Sequence, residues 1–542
     1  MKKNKKGIIV VLVSAVLLVV LNYFLLLPLN FKFLGTSLTV TLFVVINCVV
    51  LNVLSLISQS KTEGKKSKTG FIIAGVLVLA IIAYGVINSS MFRADEYRNL
   101  IGNVEQKEFT NDIHTVDLTQ LPIVDKKLAE NLGDKKLGTY VGLGSQVTLG
   151  EFTKQNVNGQ LYWVSPLLHS GFFKWMNNKE GTTGYIMVNA TNTKDVKLVD
   201  KLNGKPLKIK YQPNAYFSTD LKRHVYMKAE RTAGLTDFSF ELDDTGKPYW
   251  VITKYINSIG FSGEKILGVI VVDAQSGEIK EYDTNNIPSW VDRVAPDFVI
   301  RDRIDWWGEL VHGFFNFSKK DMLTSTKGMN MVYNNGECYY YTGITSVGSD
   351  EAIVGFILTN TKTMNSTFYK VSGSTEIAGM QSAEGKVQNL QYKATFPILI
   401  NVENIPTYFM SLKDKKGLIK QYAMVSVEDY SIVGVGETIK DAKSNYVKTL
   451  KNKGNITLKF TGEQKKLQGT IMRIGSFNIE GTTYYNFIIK EKPDTIFTAS
   501  AAISSQLPLT REGDNVSFSY NETESSSIDV LEFNNINIKG SK

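Results

Sequence analysis

Few side chains in this 542-residue chain are of a type that could hold a metal or attack a substrate. The histidines are His114, His169, His224 and His312, and the cysteines are Cys48 and Cys338. The histidines are far apart and fall in no HExxH or Cys/His spacing, so a zinc site would need ligands from distant stretches. No GxSxG elbow stands out, and no Walker loop or GxGxxG follows a strand. Ser262 and Lys265 have the SxxK spacing, but their stretch reads as a loop and not as the start of a helix. Cys338 precedes Tyr339-Tyr340-Tyr341 on a predicted strand and reads as a buried thiol. Asp243, Asp244 and Asp273 fall at predicted turns, where Asp serves the backbone. Carboxylates brought together by the fold are the route to hydrolysis that spacing leaves open. No metal and no cofactor is expected.

Aromatic residues form the other unusual constellation. Asp305-Trp306-Trp307-Gly308 leads into His312-Gly313-Phe314-Phe315, with an echo in Gly171-Phe172-Phe173-Lys174-Trp175. Dense aromatics are often core. The alternative is a contact surface, because Trp is enriched at binding hot spots and at membrane interfaces. Trp306, Trp307, Phe314, Phe315, Phe172 and Trp175 are the candidate partner contacts.

These residues must be positioned by a chain that begins with three apolar runs. Gly7 to Leu27, Phe33 to Ile57 and Gly70 to Ile87 are each close to the roughly 20 residues that an α-helix needs to cross a bilayer. Residues 1–69 hold nine lysines and one acid, for a charge of +8, while the remaining residues hold 52 basic and 51 acidic side chains. Lysines precede the first run and separate the second from the third. The positive-inside rule then predicts a cytoplasmic N-terminus, three spans and an extracytoplasmic region from about Arg93 onward. The near-neutral exported part carries no electrostatic footprint for nucleic acid. With Cys338 alone outside, the ectodomain can form no internal disulfide. That usage, with the Lys/Asn/Ile-rich wording, points to a Gram-positive bacterium or one of its phages.

The exported chain repeats. Strands led by Tyr162, Tyr249, Tyr339 and Tyr408, spaced 87, 90 and 69 residues apart, are each followed by further strand-like segments. In the second copy, Gln275-Ser276-Gly277 supplies a turn. Helices are expected over Pro122–Leu132, ending at Gly133, over Asp220–Lys228, within Val291–Val311, over Thr375–Gln388 and from Thr438 to Gly454. The succession TEIAGMQSAEGKV, ATFPILINV, TYFMSLK and QYAMVSV resembles a PepSY domain, as do YWVITKY and VIVVDAQSGEIKEY in the second copy. The resemblance covers roughly residues 120–450. It implies small extracytoplasmic α+β modules of a kind found in peptidase propeptides and membrane-bound regulators.

After Gly454 strands are expected, with one short helical piece at Ala501–Gln506. Their order, β-β-β-α-β-β, fits an OB-like small barrel, with an SH3-like barrel as the alternative. Tyr484, Tyr485, Phe487, Phe497, Phe518 and Tyr520 would divide between its two faces. Residues 455–542 hold nine basic and ten acidic side chains, which disfavours nucleic acid as ligand.

The expected fold is thus α+β. A membrane anchor spans 1–92, PepSY-like units span 93–200, 201–290, 291–373 and 374–454, and a barrel spans 455–542. The expected function is a non-enzymatic, membrane-anchored scaffold or regulator that binds an envelope protein, a peptide or another copy of itself. The rivals are an envelope hydrolase using carboxylates from several units and a phage or conjugation surface protein of the same architecture.

Overall fold

The computed structural model describes residues 5–58, 61–109, 113, 121–334, 337–348, 352–453, 464–479, 482–521 and 527–538. Lys2, Lys3, His114 and the Gly454 break lie outside them. The chain is α+β, with helices at its start and antiparallel sheets through most of its length.

The Leu/Val/Ile runs form α1 (Lys5–Leu25), α2 (Leu34–Ser58) and α3 (Lys61–Ile87). Two helices, at Leu34–Val53 and Lys68–Ile87, are long and apolar enough to cross a membrane. In α1 the apolar helix is shorter, Leu12–Leu25. Ser14 on α1 donates to Asn47 Oδ1 on α2 at 2.6 Å, satisfying two polar groups between otherwise apolar helices.

Four antiparallel meanders follow in chain order. The first sheet runs through Thr153–Val157, Gln160–His169, Tyr185–Asn189 and Val196–Val199. In the second, Gly234–Leu242, Pro248–Ile259, Ser262–Asp273 and Ile279–Asp283 pair in sequence. Asn330–Asn334, Glu337–Ser346, Gly355–Asn360 and Ser366–Tyr369 make the third. Ile398–Val402, Ile405–Lys413, Ile419–Ser426 and Val433–Gly436 make the fourth. Tyr162, Tyr249, Tyr339 and Tyr408 all fall on the second strand of their meander.

Each meander is preceded by a helix: Lys126–Gly138, Leu221–Lys228, Asp297–Glu309 and Glu376–Lys386. Asp220 and Thr375 cap the second and fourth by accepting from Arg223 N and Ala378 N. Gly133, expected to end the first helix, lies inside it. A Cβ there would come within 2.6 Å of Phe152 Cζ, so the glycine admits that ring against the helix. A fifth helix, Ile439–Lys453, covers the far face of the fourth sheet with Tyr446 and Leu450.

Alternation along each strand gives every sheet two apolar faces, and the sheets pack face to face. Tyr162, Val164 and Tyr185 of the first sheet meet Phe240, Trp250 and Ile270 of the second. Val251 and Val269 on the opposite face of the second meet Tyr340 and Ile357 of the third. Tyr341 and Phe356 then meet Tyr408 and Met410 of the fourth. The segment at 121–125 closes the circuit. Ile123 O accepts from Ser411 Oγ at 3.1 Å, Val124 O accepts from Trp163 Nε1 at 2.7 Å, and Asp125 pairs with Lys413 at 2.6 Å. The opening strands converge at the middle, where Thr153 Oγ1 donates to Phe240 O and Lys154 Nζ donates to Met331 O.

The second sheet also joins this body to the helices. Its longest hairpin turns at Gly260 and Phe261, and the Phe261 ring meets Tyr84 of α3 edge to face at 5.0 Å. Gly260 has φ +59°, and a Cβ there would lie 2.5 Å from Asn88 Cβ. Asn257 Nδ2 donates to Lys32 O at 2.9 Å, and Tyr226 OH donates to Leu27 O at 2.9 Å. Ser262 and Lys265 are therefore strand residues. At three positions apart they point to opposite faces, which removes the SxxK pairing.

The final five strands form a closed barrel: Gln464–Ile479, Thr482–Ile489, Lys492–Ser500, Asn515–Asn521 and Ser527–Asn535. Phe487, Phe497, Phe518 and Tyr520 all point into its core and Tyr484 is buried as well, so more of the aromatic set is interior than alternation predicts.

Candidate functional site

Two features at the centre of the four-sheet body have the make-up of a site. One is a cleft of about 360 Å³ bounded by the first and fourth sheets, the 122–127 segment and the entry to the third sheet. Lys154, Trp163, Asp125, Phe396, Phe409 and Ser411 line it. Lys154 sits 5.3 Å over the Trp163 ring and donates to Met331 O at 3.1 Å. Burial pushes its ammonium down to about 8, so a fraction of it is neutral near physiological pH. Asp125 is held twice, by Lys413 and by accepting from Leu128 N at 3.0 Å as a helix cap.

The second feature lies behind the cleft. Asp292 Oδ2 accepts from Asn156 N at 2.5 Å and from Tyr333 OH at 3.2 Å. Asp292 N donates to Glu241 Oε2 at 3.1 Å, and Ser239 Oγ donates to Glu241 Oε1 at 2.7 Å. Arg293 pairs with Asp237 at 2.7 Å. Burial, then the neighbouring Asp292 charge, pushes Glu241 up to about 7. Burial pushes Asp292 up to about 6 and the Cys338 thiol up to about 12. These carboxyls come from different units, as a composite hydrolytic site would require. Glu241 is 2% exposed and Asp292 6%; both Glu241 oxygens and Asp292 Oδ2 accept from the donors just named. The pair cross-links strands of three sheets.

The aromatic candidates divide. Trp306 is half-buried, edge to face with Tyr97 at 4.7 Å, and Trp307 packs against Phe368 at 6.1 Å. Both lie partly buried on the 297–309 helix. Phe314 and Phe315 are exposed, at 45% and 58%, with Phe317 beside them at 84%. Trp175 is buried, while Phe172 and Phe173 rise to the surface. Tyr216 and Phe217 join that second cluster, with Tyr216 5.1 Å from Phe172 and Phe217 5.7 Å from Trp175. Sequence reading passed over Phe317, Tyr216 and Phe217. The Asn-Ala-Tyr-Phe run after Pro213 was the available signal, an apolar pair beside a turn residue.

The described histidines serve the fold. The imidazole of His224 bonds Gly277 O at 2.8 Å, and that of His312 bonds Asp321 Oδ2 at 2.9 Å. Burial lowers the His169 pKa. Among the described residues no group of three or more His, Cys, Asp or Glu side chains could hold a metal ion.

No family model matches the chain. No curated protein matches it either. Among solved structures, the Bombyx mori GH32 beta-fructofuranosidase aligns at 10% identity and a TM-score of 0.18, covering 75% of this chain and 69% of that one. The Bacillus subtilis levansucrase aligns at 9% identity and 0.18, covering 78% and 97%. A mutant levansucrase of B. megaterium aligns at 10% and 0.20, covering 78% and 98%. Alignments at these TM-scores carry no argument about fold or activity.

Proposed function

We propose that the protein is a non-enzymatic, membrane-anchored extracytoplasmic scaffold or regulator that binds another envelope protein or peptide by strand addition. In this reading all three N-terminal helices cross the cell membrane, the N-terminus is cytoplasmic and the body stands outside. The lysine asymmetry supports that topology. The order of helix then meander in all four units supports the PepSY likeness. The barrel's strand order, with its third and fifth strands parallel, supports the OB-like reading.

One observation carries the binding mode. The outer strand of the third sheet, Ser366–Tyr369, is already extended by a strand from outside the meander, Val104–Lys107, paired in parallel. The corresponding strand of the second sheet, Ile279–Asp283, pairs on one side only among the described residues. Its other edge presents unpaired backbone groups of the kind an extended peptide completes. Lys280 and Glu281 flank that edge and would discourage indiscriminate pairing.

A photoreactive side chain at Lys280, introduced in the full-length protein in its own membrane, tests this reading. The expected result is a protein adduct from that position and none from Lys194, in a turn of the first sheet. Absence of adducts along 279–283 contradicts strand addition. Turnover of peptidoglycan or a peptide by the purified chain, abolished by Glu241→Gln or Asp292→Asn without unfolding, would replace the scaffold with the hydrolase.

A further inference from the structure

The exposed aromatics at 172–173 and 216–217 and those at 314–317 form two clusters, and each is tied to the end of an apolar helix. Phe314, Phe315 and Phe317 follow Leu310, which packs with Tyr97 and Ile259. Tyr97 OH donates to Asn88 O at 3.0 Å, one residue past the end of α3. On the other side, Arg223 Nη1 donates to Phe217 O at 3.4 Å, and the same guanidinium lies 4.6 Å over the ring of Tyr23 near the end of α1. Phe173 belongs to this second cluster through Phe172. Phe173 is 72% exposed, Phe217 58% and Phe317 84%, so these rings have large uncovered surfaces in segments tied to the helix ends. Phe31 and Phe92, in the segments bordering the helices, are exposed as well, at 69% and 60%.

We propose that both clusters dip into the outer interfacial layer of the bilayer, so that the body rests on the membrane through two aromatic pads flanking its helices. A lipid surface is the occupant that fits. Aromatic rings partition to the headgroup boundary, and basic side chains beside them meet anionic headgroups. Lys319 and Lys320 adjoin the first pad, and Lys174 and Lys179 the second. Pads on either side of one helix group would fix the tilt of the body, and with it the height of the open edge at 279–283 above the membrane. The inference rests on the reading of α2 and α3 as membrane spans.

The test is spin-label accessibility in the full-length protein in nanodiscs of phosphatidylcholine and phosphatidylglycerol. Cysteines replace Phe315, Phe317 and Phe173 one at a time; Cys48 and Cys338 are buried, and the unsubstituted chain is labelled in parallel. Leu79→Cys, at an exposed position on α3, is the lipid reference. Lys194→Cys is the aqueous reference: it is exposed in the turn after Asn189, which pairs with Tyr162, and Tyr162 lies about 23 Å along its strand from His169, next to the second pad, at about 3.3 Å per residue. The expected result is that labels at 315, 317 and 173 collide more with oxygen than with a water-soluble nickel chelate, as at 79 and opposite to 194. Nickel-accessible pads with an oxygen-accessible 79 overturn the inference and leave the anchor standing. An aqueous 79 overturns the anchor reading and the inference with it. Labels shielded from both reagents and broadened by one another would show contact between copies in place of lipid, which also overturns it.

Discussion

Glu241 and Asp292 are two buried carboxyls at the point where three sheets meet. Each is withdrawn from water; Asp292 accepts from the first and third sheets, and Glu241 accepts from Ser239 on its own strand and from Asp292 N. Both titrate above their ordinary values in the folded chain. Between about pH 4.5 and 7, then, the folded chain holds protons that the unfolded chain has released. Their contribution to stability is fully present below the unfolded values and is lost as pH rises through about 6 and 7. The loss is on the order of 3 kcal/mol for either group alone, at about 1.4 kcal/mol per tenfold change in proton affinity. Glu241→Gln should flatten the fall in melting temperature between pH 5 and 7.5. An unchanged pH profile in that variant would mean the carboxyl is not buried as described. Nothing local in the sequence marks Glu241 or Asp292, because their meeting depends on three sheets converging. Trp306 and Trp307 are half-buried for the same reason, since their neighbours Tyr97 and Phe368 come from other elements.

Local signals at the scale of elements were legible where the chain itself decides the outcome. Asp220, Thr375 and Thr438 cap helices where a side-chain oxygen reaches a nearby N–H, and Gly277 turns its hairpin at φ +75°. Signals failed where a distant partner decides. The helix runs on past Gly133 because Phe152 needs the space. The stretch around Ser262 is strand because Pro248–Ile259 pairs with it, across one register shift at Lys254/Tyr255. Val104–Lys107 became a strand only by finding Ser366–Tyr369. The barrel is the opposite case, since its five strands pair among themselves and fill their own core with Phe487, Phe497, Phe518 and Phe533. An isolated 464–538 fragment should therefore fold alone, with dispersed amide resonances and a cooperative melt. A disordered spectrum would show that the barrel needs the four-sheet body.

At the scale of the whole molecule, four consecutive meanders packed face to face around a shared centre give a propeller-like arrangement, closed by the 121–125 segment. The repeat was visible in the spacing of four tyrosines. The radial packing was not, because it depends on which face of each sheet meets the next. The body is bonded to the loop between α1 and α2 and to the end of α3 at several points, so whatever orientation the helices take in a membrane is passed to the sheets. The central claim is that this body stands outside a membrane that the helices cross. Protease added to intact protoplasts, with epitope tags on both ends of the full chain, tests it most directly. The account predicts that the C-terminal tag is removed and the N-terminal tag survives until the cells are lysed. Survival of the C-terminal tag with loss of the N-terminal one would contradict it.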